Sequence, residues 1–156
     1  MRTRRIARIS VLAIAGLLSF SSVAYGDDLA EVRTLFEKDI HLLNAHNNDA
    51  FSIAAHEDVV LFGIFSPFPV EGKEKFRQAV QEYFDNYEHA VITLIDPDYK
   101  AMGATGVAWG NFRLATRRKG GTQEYTDGRY MVTYTRANGK WHAISMHYSL
   151  LEPLVK

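Results

Sequence analysis

Asp39 is the residue whose position most calls for chemistry. From Leu29 to Asn47 the apolar residues Leu29, Val32, Leu35, Phe36, Ile40, Leu42 and Leu43 recur at helical spacing. On that helix Asp39 falls about 60° from Phe36, between Val32, Leu43 and Leu42, inside the apolar arc rather than on the solvated face. A carboxylate there must be paired, hydrogen-bonded or protonated, because an isolated buried charge is too costly. Two roles follow: an acid/base or ligand-orienting group, or a structural anchor to a sheet residue such as Arg129.

Other chemistry-bearing types are less well placed. His41 and His46 are five apart and cannot share a helix face as an i, i+4 pair would, and His56-Glu57-Asp58 lacks a second histidine at zinc-binding spacing. No metal site and no cofactor are expected. His147 and Ser149 are two apart on one strand and can touch, but no nucleophile elbow surrounds Ser149. His46 sits at the edge of the inward arc, where a lone histidine is a capping or satisfied group. Arg117-Arg118-Lys119 reads as a solvated turn.

The elements that must carry these residues follow from periodicity and punctuation. Three helices are expected: the long first one, a short one over Asp49 to Ala55 entered from Asn47-Asn48, and an amphipathic one from Gly72 to Asn86 through Phe76, Val80, Tyr83 and Phe84. Asp58 to Ile64 reads as a strand, stopped by Ser66-Pro67-Phe68-Pro69. Strands are then expected over Ala90 to Ile95, Tyr99 to Met102, Gly106 to Arg117, Gln123 to Thr135 and Lys140 to Leu150. Their hairpin signals are Gly103-Ala104-Thr105-Gly106, Lys119-Gly120-Gly121 and Ala137-Asn138-Gly139. Helices first and a meander afterwards define an α+β class.

Charge separates the first segment from the rest. The 156 residues hold 18 Lys+Arg and 18 Asp+Glu, with no cysteine. Four of those bases, Arg2, Arg4, Arg5 and Arg8, precede the charge-free run Ile9 to Ser22 and the small-x-small site Ala24-Tyr25-Gly26. This is the pattern of a secretory signal, so residues 1–26 are expected to be cleaved and 27–156 to form one exported domain, periplasmic or secreted. From Asp27 onward 14 bases face 18 acids, a net of −4, which argues against nucleic acid or an anionic membrane as partner.

Strand parity predicts a covered outer surface. In the last strand Trp141, Ala143, Ser145, His147 and Ser149 would share one face, and His142, Ile144, Met146 and Tyr148 the other. Neither face is plainly polar, whereas a sheet wetted on one side alternates cleanly. One face packs on the long helix, and a homodimer formed sheet to sheet would cover the other.

Val70-Glu71-Gly72-Lys73-Glu74 at the third helix, Gly128-Arg129-Tyr130, Asn138-Gly139-Lys140-Trp141 and His147-Tyr148-Ser149, in this element order, resemble the nuclear transport factor 2-like superfamily. The likeness is closest to its SnoaL-like branch and to the association domain of calcium/calmodulin-dependent protein kinase II, and it spans Asp28 to Pro153. It implies a cone-shaped, curved antiparallel sheet wrapped around the first helix, with a pocket at the open end and dimerisation through the outer sheet face. It also implies a choice among cofactor-independent isomerases, dehydratases and cyclases, binding proteins, and assembly modules without catalysis, which only the site can decide.

On that resemblance Arg129 falls on the concave side, where its guanidinium would clamp a carboxylate from Asp39 or from a ligand; if Asp39 does not neutralise it, the ligand is an acid. Tyr83, Tyr87, Trp109, Met146 and Tyr148, with Phe62, Phe65, Phe68 and Phe112, would wall an apolar cavity for a small organic molecule. Trp141, His147 and Ser149 match the family's C-terminal pattern as interface or structural residues. The steroid-isomerase pattern wants an acid where Gly63 stands, and no complete acid, base and oxyanion set can be assembled, so binding is favoured over catalysis by Asp39.

Overall fold

The computed structural model describes residues 24–151, so the expected signal segment lies, apart from its last three residues, outside the described residues. Helices α1 (Ala24–Asn44) and α2 (Asn48–Ile53) are followed by β1 (Ala55–Phe62), the two-residue β2 (Val70–Glu71) and α3 (Lys73–Asn86). Strands β3 (Tyr87–Met102), β4 (Thr105–Arg118), β5 (Glu124–Ala137) and β6 (Lys140–Leu150) complete the chain. They form one six-stranded curved sheet in the order β2-β1-β6-β5-β4-β3. Every pairing is antiparallel except β1 with β6, which is parallel, so the sheet is mixed.

Local chemistry accounts for the boundaries. Asn47 caps α2 by accepting from the Ala50 N–H at 3.1 Å. The buried Asn48 then ties α2 to α3, its Nδ2 donating to the Arg77 carbonyl at 2.9 Å and to Gln81 Oε1 at 3.1 Å. His46 ends α1 in the left-handed region at φ 53 and stacks on Phe84 at 4.5 Å, the capping role expected of it. Asn138 and Gly139, at φ 51 and 75, close the β5–β6 hairpin in the conformation its Asn-Gly pair favours.

Two expected boundaries are corrected. Asp96-Pro97-Asp98 does not separate two strands; it is an irregularity within the single strand β3, with the register shifting between Ile95 and Asp98. A proline is tolerated there because β3 is an edge strand, where the missing N–H costs no ladder bond. Val70-Glu71 belongs to β2, paired with Leu61 and Val60, rather than to the mouth of α3.

The core lies between α1 and the concave face of the sheet. Val32 and Phe36 of α1 are almost fully buried with Ala108, Phe112, Val132 and Tyr134. The concave face of β4 reads Gly106, Ala108, Gly110, then Phe112 and Leu114: small where the helix crosses and large beyond it. A Cβ on Gly106 would stand 2.5 Å from Val32 Cγ2. At the far end of α1, Asn44 bonds both backbone groups of Ile92, each at 2.8 Å, and so fixes the helix to edge strand β3.

Candidate functional site

A cavity of about 140 Å³ opens where α1 ends and the large residues of the sheet begin. The sheet supplies Leu61, Ile92, Phe112, Leu114, Met146 and Tyr148, and helix α3 supplies Phe76, Ala79, Val80 and Tyr83. Leu43, Phe51 and the segment Gly63 to Ser66 complete the wall with Val70. A side chain at Gly128 would collide with the ring of Phe112, so the glycine of Gly128-Arg129-Tyr130 is what lets Phe112 lie across the sheet at the cavity floor.

Its walls are aromatic on two sides. Phe65 stacks on Tyr83 at 5.4 Å, and Tyr148 meets Phe112 edge-on at 6.1 Å. Among the described residues neither the Tyr83 nor the Tyr148 hydroxyl has a hydrogen-bond partner, and neither is sealed from solvent in the way the Tyr130 hydroxyl is. Burial pushes both phenols above their ordinary pKa, with the charge of Asp39 adding to the effect at Tyr148.

Asp39 lies beyond the cavity wall, one helical turn before Leu43. It is 4% exposed, and its Oδ2 accepts from the Tyr134 hydroxyl at 3.3 Å while Oδ1 has no partner among the described residues. Burial raises its pKa to about 7, with the Tyr134 hydrogen bond and the charge of Lys38 working against that rise. Asp39 is therefore an inward acid, as the helical wheel requires, anchored to a tyrosine instead of an arginine.

Arg129 is the main correction to the expected site. It is exposed on the convex face, its Nε donating to Ser149 Oγ at 3.2 Å, while Tyr130, Val132 and Tyr134 take the concave side. Strand alternation makes the two positions exclusive: with Tyr130 inward, Arg129 must point out. Among the described residues no Lys, Arg or His lines the cavity in its place, and the expectation of a carboxylate-bearing ligand loses its support.

Trp109 also faces outward, in register with Met131, which pairs in turn with His147 and through it with Phe62. Tyr87 stands behind the cavity, tilted against Phe65 at 5.7 Å and under the Arg118 guanidinium at 5.1 Å. Phe68 is 76% exposed. Of the residues expected to touch a ligand, Tyr83, Met146, Tyr148, Phe65 and Phe112 line the cavity, and Arg129, Asp39, Tyr87, Trp109, Phe62 and Phe68 do not.

The last strand carries a second correction. Thr133 pairs with Ser145 but Tyr134 pairs with Ala143, so Ile144 is an extra residue that reverses the alternation. Trp141 and Ala143 consequently share the concave face with Met146 and Tyr148, while His147 and Ser149 lie outside. Trp141 is structural: its Nε1 donates to Glu31 Oε2 at 3.0 Å, and the Arg136 guanidinium lies over its ring at 4.5 Å. The lining residues that composition did not single out, such as Val80 and Ile92, were visible only as the inward stripes of α3 and β3.

Residues 32–153 match the family model for the SnoaL-like domain. The chain belongs to that family. No curated protein matches it in sequence. A candidate dehydratase of the NTF2-like family from Streptomyces avermitilis is similar in structure, with a TM-score of 0.74 at 14% identity over 82% of this chain and 99% of that one. A candidate aromatic ring hydroxylase from Novosphingobium aromaticivorans superposes with a TM-score of 0.72 at 21% identity, over 81% and 91% of the two chains. A candidate calcium/calmodulin-dependent protein kinase II association domain from Xanthomonas campestris gives 0.63 at 22%, over 80% and 88%. At these identities the likeness is one of fold, and in this SnoaL-like domain the cavity and its phenols must carry the functional argument.

Proposed function

We propose that this SnoaL-like protein is exported and binds a small, largely apolar organic molecule in the cavity between α3 and the sheet. The observation that carries the reading is a preformed hollow walled by stacked aromatics and aliphatics, with two unpartnered phenols as its polar points. Support for export comes from the sequence: a basic start, an apolar run and a small-x-small site ahead of Asp27. Native mass spectrometry of protein purified from its own cells should show a retained small molecule, and Ala79→Phe, which fills the cavity from a half-buried position, should release it without loss of helical and strand signal. A purified protein that stays empty and binds no single-ring hydrophobe would sink this reading.

A second reading, cofactor-independent isomerase, dehydratase or hydrolase chemistry, is favoured by one observation. Asp39 is held near neutrality with one oxygen unpaired, close enough to bias Tyr148, which does line the cavity. In that case Asp39→Asn keeps ligand affinity and loses turnover. We also propose that the convex row Trp109, Met131, His147 and Phe62 meets the same row of a second copy, since Met131 and Phe62 are about half exposed (52% and 47%) and apolar. Self-association of this kind serves a binding protein and a pure assembly module equally.

A further inference from the structure

We propose that the segment Gly63 to Pro69 is a lid on the cavity, latched shut by the ring of Phe65. This rests on the binding reading above and adds the route by which a ligand enters and leaves.

Hydrogen bonding leaves the segment free to swing. It joins the end of β1 to β2, and its first four residues, Gly63 to Ser66, form part of the cavity wall. Among the described residues no backbone hydrogen bond ties it to the rest of the chain. The side-chain bonds it makes are internal: Ser66 Oγ donates to the Phe68 carbonyl at 2.8 Å and accepts from the Phe68 N–H at 3.2 Å. Chain that is not bonded to its scaffold opens at low cost. Pro67 and Pro69 stiffen the outer half by fixing φ. Gly63 supplies the hinge, because a Cβ there would meet only the Leu61 side chain, at 3.7 Å.

Side chains hold the lid closed instead. The Phe65 ring stacks on Tyr83 of α3 at 5.4 Å and tilts against Tyr87, the first residue of β3, at 5.7 Å. It therefore bridges the β1–β2 connection to the point where α3 passes into β3. Both posts are fixed. Tyr83 and Tyr87 lie 5.2 Å apart, Tyr83 also meets Phe84 at 5.7 Å, and Tyr87 pairs with Arg118, whose guanidinium lies over its ring at 5.1 Å. Ile64, partly buried against the core, adds to the grip. Phe65 itself remains 56% exposed, so the latch seals the wall without being locked into it. Phe68 is the contrast within the same segment: it is 76% exposed, lies off the cavity and stacks on no ring among the described residues.

The sequence contains no cysteine, so a single introduced thiol reports opening without background. Met146→Cys places one on the cavity wall, at a residue 4% exposed, and Val132→Cys places one in the core off the cavity. Reaction with a small thiol reagent under native conditions then reads the lid at position 146 and global opening at position 132. Phe65→Ala should speed reaction at position 146 at least about tenfold, the scale of two lost aromatic contacts, and leave position 132 unchanged. Phe65→Tyr, which keeps the ring, should restore the slow rate, and Phe68→Ala should not alter it. An unchanged rate at position 146 in Phe65→Ala, or an increase matched at position 132, overturns the lid. Ala79→Cys, on the facing wall, gives the same reading if Met146→Cys does not fold. Passage of a ligand is read with benzotrifluoride by fluorine magnetic resonance, where exchange between free and bound probe should quicken in Phe65→Ala by a similar factor. Exchange that stays constant while position 146 opens faster would mean another entrance, and would overturn the lid as the route. A probe that does not bind counts against the binding reading, and the thiol rates still decide the lid.

Discussion

The Tyr134 hydroxyl donates to Asp39 Oδ2 at 3.3 Å, joining the C-terminal part of α1 to the C-terminal part of β5 inside the core. The second carboxylate oxygen is buried and has no partner among the described residues, and the pKa rises to about 7 because desolvation outweighs that single bond. The fold thus holds an acid that prefers to be neutral.

This makes stability pH-dependent with a definite sign. The unfolded carboxyl titrates near 3.9 and the folded one near 7, so between those values the folded state binds more protons. Stability from this group is full below about pH 4 and is lost as pH rises through about 7. Urea unfolding should show a decline on the order of 2–4 kcal/mol across that window. Asp39→Asn keeps an acceptor for Tyr134 without the charge, and should flatten the profile and leave the protein more stable than wild type at pH 8. An unchanged slope in the variant would remove Asp39 from this role.

The close approach of α1 to β4 predicts a coupled pair. Gly106→Ala would drive a methyl against Val32 Cγ2 and should cost about 1–3 kcal/mol, the usual scale of core overpacking. Val32→Ala alone removes the obstructing methyls and should cost a similar amount as a cavity. The double variant should be less destabilised than the sum, with a coupling of at least about 0.5 kcal/mol in a double-mutant cycle. Simple additivity would mean that the helix shifts away from the strand.

Legibility in the sequence tracked local physics. The three helices, the hairpin turns and the inward setting of Asp39 each depend on spacing or turn chemistry within a few residues, and each appears in the structure. Tyr134 as its partner was not read there, because setting Arg129 on the concave side turned Tyr134, which shares a face with Tyr130 and Val132, away from α1. What failed depended on one-residue choices that local pattern does not encode. Arg129 and Tyr130 compete for the concave face, and the aromatic wins because its ring stacks on Phe36 at 5.0 Å whereas a guanidinium there would lie unpaired. The extra residue Ile144 moves Trp141 to the same side as Met146, and nothing in the run from Lys140 to Leu150 marks it.

Trp141 offers a local reporter. Glu31 accepts from its indole and pairs with Arg136, whose guanidinium covers the ring and also reaches Asp28. Exposed ion pairs are worth little singly, but Glu31→Ala also strips the indole of its acceptor in a position only 8% exposed. The expected cost is about 1–2 kcal/mol. In a Trp109→Phe background, tryptophan emission should shift to the red as water replaces the carboxylate; no shift would mean that the indole finds another partner.

The convex row makes the oligomer testable without touching the cavity. Met131 is 52% exposed and lies between Trp109 and His147 in register across the sheet. If two copies meet there, Met131→Glu places like charges near each other at the centre of the contact. Light scattering should give a dimer for the wild type and a monomer for the variant, with the circular dichroism spectrum unchanged. A wild-type monomer at micromolar concentration would remove the interface and leave the apolar row unexplained.

Export predicts where the mature chain begins. Cleavage after Gly26 would remove the first three residues of α1 and leave Asp27 as the N-terminus. The cut is compatible with the fold, because among the described residues Val32 is the first in the hydrophobic core and the ion pair from Asp28 to Arg136 survives it. A chain of residues 27–156 should accordingly unfold at the same urea concentration as the full-length protein, within about 0.5 kcal/mol. In cells that express the full sequence, the intact mass of the protein outside the cytoplasm should correspond to a start at Asp27. Replacing Leu17 and Leu18 with Arg, which breaks the apolar run, should retain the precursor inside. Recovery of the uncut chain from the cytoplasm of unmodified cells would reject export, and it would leave the cavity and its phenols to act on a ligand made in that compartment.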